Sequence, residues 1–182
     1  MKTWLTFALC LIATPVLAQD SCPAVPDRDA EKAQIYRDLR ISRDATDARL
    51  LSDELWRIWL VAPDARAQDL LDDAMRLRRE ANFEGSIELL DELVEYCPHY
   101  AEGYNQRAFS NFLRREFGAA LLDLNAALDI DPLHLGALTG KALSQMGLGQ
   151  DEAAQQSLRK ALRLNPWLAE RSLLTGPPEQ EL

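Results

Sequence analysis

Residues 101–134 read AEGYNQRAFSNFLRREFGAALLDLNAALDIDPLH, a 34-residue unit that ends in a proline turn. Its proline, Pro132, lies 34 residues after Pro98 and 34 residues before Pro166. A constant 34-residue period in a stretch rich in helix-forming residues is typical of a stacked helix-turn-helix array. Because proline cannot continue a helix, each of these residues marks the turn between one unit and the next.

Small residues recur at two positions of this unit, where two helices must approach closely. Position 8 is alanine in all three units, and position 20 is serine or alanine. These residues are Ala74, Ala108 and Ala142 at position 8, and Ser86, Ala120 and Ala154 at position 20. The pattern resembles the tetratricopeptide repeat (TPR) family, with repeats at 67–100, 101–134 and 135–168. The resemblance implies an all-α fold, an α-solenoid of helix-turn-helix repeats with N-terminal capping helices.

Some positions depart from the family pattern. Position 7, usually apolar, is charged in every repeat, and the glycine expected before the second helix is retained only as Gly149. The departing residues are Asp73, Arg107 and Lys141 at position 7, and Ala81 and Arg115 in place of the glycine. A more polar first helix is therefore expected.

Residues 19–66 are predicted to form capping helices, from Ala30 to about Ile41 and from Ala48, capped by Asp47, to about Val61. Pro63 lies 35 residues before Pro98, almost in register with the repeats. A very apolar cluster has two interpretations; its members are Leu55, Trp56, Ile58, Trp59 and Leu60. Its tryptophans either cover the exposed end of the stack, as terminal repeats do, or form a docking patch for a partner.

Residues 1–18 have the features of a secretory signal peptide. Lys2 precedes an apolar run from Trp4 to Ala13, and Val16-Leu17-Ala18 offers small residues for cleavage after Ala18. The alternative, a retained anchor, would require a longer apolar run. The expected mature chain is periplasmic or extracellular, without membrane insertion. At the other end, 169–182 is expected to be a short helix and tail.

Cleavage would remove Cys10 and leave Cys22 and Cys97. In an oxidising compartment this pair could form a disulfide that holds the N-terminal segment against the first repeat. The alternative is two unpaired thiols, since the sequence does not define the distance between them.

The charge and residue types exclude several functions. A net charge of −9 disfavours nucleic acid and anionic membranes as partners. The two histidines, His99 and His134, lie in the proline turns, with no nucleophile elbow, zinc spacing or phosphate loop. The sequence therefore predicts no enzyme, no cofactor and no metal.

The family resemblance implies that positions 2, 5, 9 and 12 of each first helix line a binding groove. The residues expected to contact a partner are Arg78, Asn105, Phe109, Phe112 and Met146. Asn105 would hydrogen-bond a peptide backbone, Phe109 would supply apolar contact, and Arg78 would bind an acidic group. The alternative for each apolar residue is a place in the core.

Two functions are compatible with this sequence. The first is an exported scaffold or adaptor that binds a protein or peptide in its groove. The alternative is a structural or assembly factor of the bacterial cell envelope that oligomerises through its caps. The Leu-Trp-x-x-Trp sequence and the start of repeat two resemble a bacterial group of exported repeat proteins.

Overall fold

A computed structural model describes residues 21–175; the expected leader and most of the expected C-terminal tail lie outside them. This part of the chain contains eight α-helices, one 3₁₀ helix and no β-strand. The helices are α1 (Asp29–Ile41), α2 (Ala45–Trp59), α3 (Ala65–Arg79), α4 (Phe83–Tyr96), α5 (Ala101–Leu113), α6 (Phe117–Ile130), α7 (Leu135–Gly147) and α8 (Asp151–Leu164), followed by the 3₁₀ helix Ala169–Leu173.

Helices α3 to α8 form three helix pairs that pack in chain order, each pair against the next. The small-residue columns are buried where the two helices of a pair meet, as the family resemblance predicts. Large apolar residues fill the neighbouring space, with Leu90, Leu124 and Leu158 recurring at one position of the second helix. The fold is the all-α solenoid that the repeat predicts.

The turn inside each pair explains the glycine column of the family. Ala81, Arg115 and Gly149 occupy the same repeat position, and their φ angles are +61°, +65° and +70°. Each turn is closed by the same backbone hydrogen bond, such as Glu116 N–H to Asn111 O at 2.9 Å. A residue with a Cβ is strained in this left-handed region by about 1–2 kcal/mol. Ala81 and Arg115 therefore keep the turn at a cost in stability.

The charged residues at position 7 are partnered. Arg107 donates two hydrogen bonds to the carboxylate of Asp123 on α6, at 2.6 and 3.0 Å, and a third to Asp91 on α4 at 2.7 Å. Lys141 donates to Asn125 on α6 at 2.7 Å. These side chains form hydrogen bonds and ion pairs between neighbouring helices, at a position where the family usually has apolar contacts.

The N-terminal helices do not lie where the near-register of Pro63 suggests. Helices α1 and α2 share one buried cluster with the third repeat, rather than capping the first. The cluster comprises Ile35, Tyr36, Leu39, Ala48, Leu55, Trp59, Leu135, Leu138 and Ala161. The expectation that the tryptophans cover the end of the stack is therefore corrected: α1 and α2 lie across the turns that precede α7 and follow α8.

Polar contacts hold this helix pair in place. The Tyr36 hydroxyl donates to the Leu133 carbonyl, Lys32 Nζ lies 2.7 Å from Asp131 Oδ2, and Asn165 Nδ2 donates to Ser52 Oγ at 3.1 Å. All three partners outside α1 and α2 belong to the proline turns. The turns can make these contacts because the residue before each proline has an extended backbone, which ends the helix and leaves polar groups free of helical hydrogen bonds.

The start of α2 also differs from the prediction. Asp44, not Asp47, is the N-cap, and its carboxylate accepts hydrogen bonds from the backbone N–H groups of Thr46 and Asp47. The helix consequently begins at Ala45. At the C-terminal end, the short helix expected within residues 169–182 is a 3₁₀ helix over Ala169–Leu173.

A disulfide joins Cys22 to Cys97, whose Cα atoms are 5.1 Å apart. It connects the segment before α1 to the residue that follows α4. Cys97 is buried in the cluster of the first repeat. The N-terminal segment is thus attached to the first repeat, while α1 and α2 pack against the third.

Candidate functional site

A cavity of about 300 Å³ lies where α2 faces α5 and α7. We call it the tryptophan cavity. Its wall is formed by aromatic side chains, aliphatic side chains, a few neutral polar groups and the acidic residue Glu170. The residues that define it are Trp56 and Trp59 from α2, Asn105, Gln106, Phe109 and Phe112 from α5, and Gly136, Thr139, Leu143 and Ser144 from α7.

Helix α2 is held over the repeats through Trp59. The Trp59 ring stacks on His134 with 4.2 Å between ring centroids, and its Nε1 donates to Asp131 Oδ2 at 3.3 Å. Its backbone carbonyl accepts a hydrogen bond from the Tyr100 hydroxyl at 2.6 Å. With Trp59 anchored on two successive turns, Trp56 is directed toward Gly136. A Cβ at Gly136 would lie 2.8 Å from the far edge of the Trp56 ring, so a larger residue there would push this ring away.

Three of the five predicted groove residues, Asn105, Phe109 and Phe112, line the tryptophan cavity. Phe109 is 46% exposed, which places it in the wall rather than in the core. Phe112 is half-buried and its ring centroid is 5.3 Å from that of Phe117. The same helix faces that the family resemblance assigns to the groove thus meet α2 in this structure.

Arg78 and Met146 are not in this wall. The Arg78 guanidinium lies over the Phe109 ring, 4.7 Å from its centroid, and Nη1 donates to the Gln106 carbonyl at 3.4 Å. Burial lowers the pKa of Arg78 to about 10, although the negative charge of Glu102 acts in the opposite direction. Arg78 remains cationic at neutral pH, beside the cavity. Met146 packs against the buried cluster of Ala142, Leu158 and Leu162.

A buried acidic network lies behind the cavity wall. Glu102 and His134 are 1% and 0% exposed, and His134 Nε2 lies 2.9 Å from Glu102 Oε2. His134 Nδ1 accepts a hydrogen bond from the Ala137 backbone N–H at 3.2 Å, so we assign the imidazole proton to Nε2. A neutral histidine thus donates to a carboxylate and caps α7 with its other nitrogen.

The same carboxylate orients two residues of the cavity wall. Asn105 Nδ2 donates to Glu102 Oε2 at 3.1 Å, and Gln106 Nε2 donates to Glu102 Oε1. The Asn105 amide was expected to hydrogen-bond a partner's backbone. One of its N–H donors is already bonded to Glu102 within the protein. Neither Glu102 nor His134 was singled out from the sequence as a structural pair. The 34-residue period could have indicated this pair, because residues about one repeat apart lie next to each other in stacked repeats.

Within residues 21–175, no group of three or more histidine, cysteine, aspartate or glutamate side chains is arranged to hold a metal ion. In the same range, none of the helices has both the length and the apolar character needed to cross a bilayer. What the site offers is shape, apolar surface and hydrogen-bonding groups.

Comparisons with known proteins show which proteins the chain resembles. No protein-family model matches the chain. A TPR repeat-containing protein of Rhizobium etli is 27% identical over 168 residues, covering 89% of this chain and 82% of its own. The first TPR domain of Spaghetti (RPAP3), solved with the HSP90 peptide SRMEEVD, superposes with a TM-score of 0.58 at 18% identity, covering 59% of this chain and 86% of that one.

A second solved structure shows the same fold. The TPR2B domain of yeast Sti1, in complex with an Hsp70 peptide, has a TM-score of 0.55 at 20% identity and covers 59% of this chain and 89% of that one. With the 34-residue period, the buried small-residue columns and the paired helices, these similarities agree with a tetratricopeptide repeat fold.

Proposed function

We propose that this protein is a non-catalytic scaffold that holds a peptide segment of a partner protein in the tryptophan cavity. One observation carries the proposal: the groove positions of two successive repeats, including the exposed Phe109, converge on a single cavity. The solved TPR domains with bound HSP90 and Hsp70 peptides support peptide recognition by this fold.

The composition of the cavity supports the same function. Ligand sites are usually concave and mostly apolar, with a few oriented polar groups. Here Trp56, Phe109 and Leu143 provide apolar surface, while Asn105 and Gln106 are oriented by Glu102. Preorganised polar groups lower the entropic cost of binding, because they need not be ordered by the ligand.

The proposal includes export to a periplasmic or extracellular compartment. The signal features of residues 1–18 motivate it, and the disulfide between Cys22 and Cys97 supports it, because such bonds persist in oxidising compartments. Expression of the full chain in a bacterium, with fractionation and mass spectrometry, tests it. Recovery in the periplasm or medium with Gln19 as the first residue is expected, and cytoplasmic retention with residues 1–18 intact would refute it.

The binding function is tested with the mature chain, residues 19–182, immobilised against a phage-displayed library of random peptides. Selected peptides should bind in calorimetry, and Phe109→Ala should weaken them by about tenfold, since an aromatic anchor typically contributes more than about 1 kcal/mol. Leu122→Ala is the matched control, because Leu122 is an exposed apolar residue on α6 outside the cavity wall. Selection of no peptide, or equal losses in both variants, would argue against the cavity.

A second candidate, oligomerisation through the N-terminal helices, is favoured by two exposed apolar residues. Ile41 is 77% exposed at the end of α1, and Leu50 is exposed on α2. A self-association patch would use them. Light scattering coupled to size exclusion should then show an oligomer that Ile41→Lys dissociates. A monomer at high concentration rejects this function.

A further inference from the structure

We propose that this protein forms a two-fold symmetric homodimer through the outer face of α6, which is formed by Gly118, Leu122 and Ala126. In this dimer the acidic face of α4 in each copy lies against the basic residues of α8 in the other copy. None of the three α6 residues lines the tryptophan cavity, so the dimer goes beyond the proposed peptide binding and is independent of it.

Helix α6 presents an uncharged strip to solvent over three successive turns. Leu122 is 73% exposed in the middle of the helix. Gly118, one turn earlier, is exposed, and Ala126, one turn later, is half-buried. Residues four apart share one side of a helix, so the strip has a protruding leucine at its centre. A single exposed leucine is ordinary on a protein surface. The charges on the neighbouring helices indicate which partner covers this one.

The helices on either side of α6 carry opposite charges. Because the repeats stack in chain order, equivalent positions of α4, α6 and α8 form rows across the surface. Positions 22, 25, 26 and 29 are all acidic in the first repeat and include three cations in the third. The residues are Glu88, Asp91, Glu92 and Glu95 on α4, Leu122, Asn125, Ala126 and Asp129 on α6, and Gln156, Arg159, Lys160 and Arg163 on α8. All four α4 residues are exposed, as are Lys160 and Arg163.

A two-fold axis in the plane of contact can bring two α6 faces together in two ways. An axis parallel to α6 places α4 of one copy opposite α8 of the other, so Glu92 and Glu95 meet Lys160 and Arg163 of the second copy. Symmetry then forms the same contact again on the other side of α6. An axis perpendicular to α6 would place α4 against α4, with acidic residues against acidic residues. The charge distribution therefore favours the parallel axis.

Two of the α4 carboxylates already have partners within the chain and remain accessible. Asp91 lies 2.7 Å from Arg107 and its side chain is 59% exposed, and Glu92 lies 2.9 Å from Arg66 and its side chain is 51% exposed. A carboxylate has two acceptor oxygens, so each can bind a second cation. These ion pairs within one chain are compatible with the contact between copies.

Like charges also meet in this arrangement. Asp129 lies in the last turn of α6, so the Asp129 carboxylates of the two copies approach each other near the axis. At position 18, Glu84 faces Glu152 of the other copy, although Arg114 of its own chain lies 3.5 Å from Glu84. Opposite charges meet at positions 25, 26 and 29 on both sides of α6, so attractive contacts outnumber repulsive ones. Surface charges determine orientation more than affinity, and we expect a weak, salt-sensitive dimer.

The first test measures the mass of the mature chain, residues 19–182, by sedimentation equilibrium at a protein concentration of about 500 μM, which detects weak association. A dimer is expected in about 10 mM salt, and about 1 M salt should increase the monomer fraction, because the screening length falls from about 30 Å to about 3 Å. Leu122→Lys should weaken dimerisation at least about tenfold, because it buries a charge at the axis in both copies. Ile41→Lys is the matched control, since Ile41 is 77% exposed at the end of α1 and should leave the dimer intact.

The second test reverses the charges. Glu92→Lys/Glu95→Lys makes the contact of α4 with α8 repulsive, and Lys160→Glu/Arg163→Glu does the same from the other side. Each double variant alone should dimerise about tenfold more weakly than wild type, because like charges then face each other. An equimolar mixture should form a mixed dimer, since every reversed face meets an opposite charge. Thermal melting of each variant verifies that it is folded.

A monomer at about 500 μM and low salt would overturn the inference without any variant. So would wild-type dimerisation by both charge-reversed proteins, or no recovery on mixing two folded variants. If Ile41→Lys dissociates the oligomer and Leu122→Lys does not, the N-terminal helices form the interface and the α6 dimer is rejected. An assembly larger than a dimer would contradict the two-fold axis. If a charge-reversed protein does not fold, Leu122→Lys and the salt dependence decide.

Discussion

The replacement His134→Ala tests whether two histidines with equivalent positions in the sequence contribute differently to stability. His99 and His134 both lie in proline turns, yet His99 is exposed and His134 is completely buried. The substitution would remove three interactions at once: the hydrogen bond to Glu102, the cap on the Ala137 N–H and the stack on Trp59. Each has a known typical magnitude.

A hydrogen bond to a charged group contributes about 1.5–3 kcal/mol, and loss of an N-cap costs about 1 kcal/mol. An aromatic pair adds about 0.5–1.5 kcal/mol. Because these groups touch one another, the losses do not add fully, and we expect a net destabilisation of about 2–4 kcal/mol. Glu102 would keep its donors from Asn105 and Gln106, so the network would be weakened and not eliminated.

The assay is urea denaturation of the mature chain at pH 7, followed by circular dichroism at 222 nm. His99→Ala is the matched control and should change the free energy of unfolding by less than about 0.5 kcal/mol, as surface substitutions usually do. Equal effects of the two substitutions, or a loss below about 1 kcal/mol for His134→Ala, would refute the reasoning, because capping alone accounts for that much.

Three further outcomes are expected. Arg115→Gly should raise the free energy of unfolding by about 0.5–1 kcal/mol, since relief of left-handed strain exceeds the entropic cost of glycine; a lower urea midpoint would contradict this. Reduction of the Cys22–Cys97 disulfide should lower stability by about 4 kcal/mol in the chain-entropy model, measured as melting with and without reductant, and an unchanged midpoint would argue against the bond. Burial would raise the pKa of Asp131, but its pairing with Lys32 outweighs this and lowers the pKa. The resulting stability is present above the unfolded value of about 3.9 and is lost as pH falls through the folded value. Lys32→Met should therefore reduce the loss of stability between pH 6 and 2, and identical acid profiles would count against the pair.

The repeat architecture was predictable from sequence because its determinants are local and recur. Prolines, small-residue columns and the glycine column each act within one 34-residue unit. The left-handed residue at the glycine position shows how strongly the turn is specified. Arg115 takes the same backbone conformation as Gly149 although its side chain disfavours it. The helix pairs were predicted correctly for this reason.

The groove faces were also inferable in part. A helix places residues three or four apart on the same side, so Asn105, Phe109 and Phe112 share one face of α5. Their convergence on one cavity needed a second element, which the repeat pattern does not define. The apolar cluster around Trp56 and Trp59 indicated that the apolar face of α2 must be buried, but not which helices it packs against.

The sequence by itself determined the helix pairs, their order and the faces that each repeat offers, because these follow from short-range periodicity. The tertiary structure alone decided that α1 and α2 lie across the turns of the third repeat. It also decided that His134 pairs with Glu102 and that, within residues 21–175, Gln106 and Ser144 each keep one buried polar atom without a partner. These features depend on contacts between segments 30 to 130 residues apart, where packing and hydrogen-bond geometry select the partner.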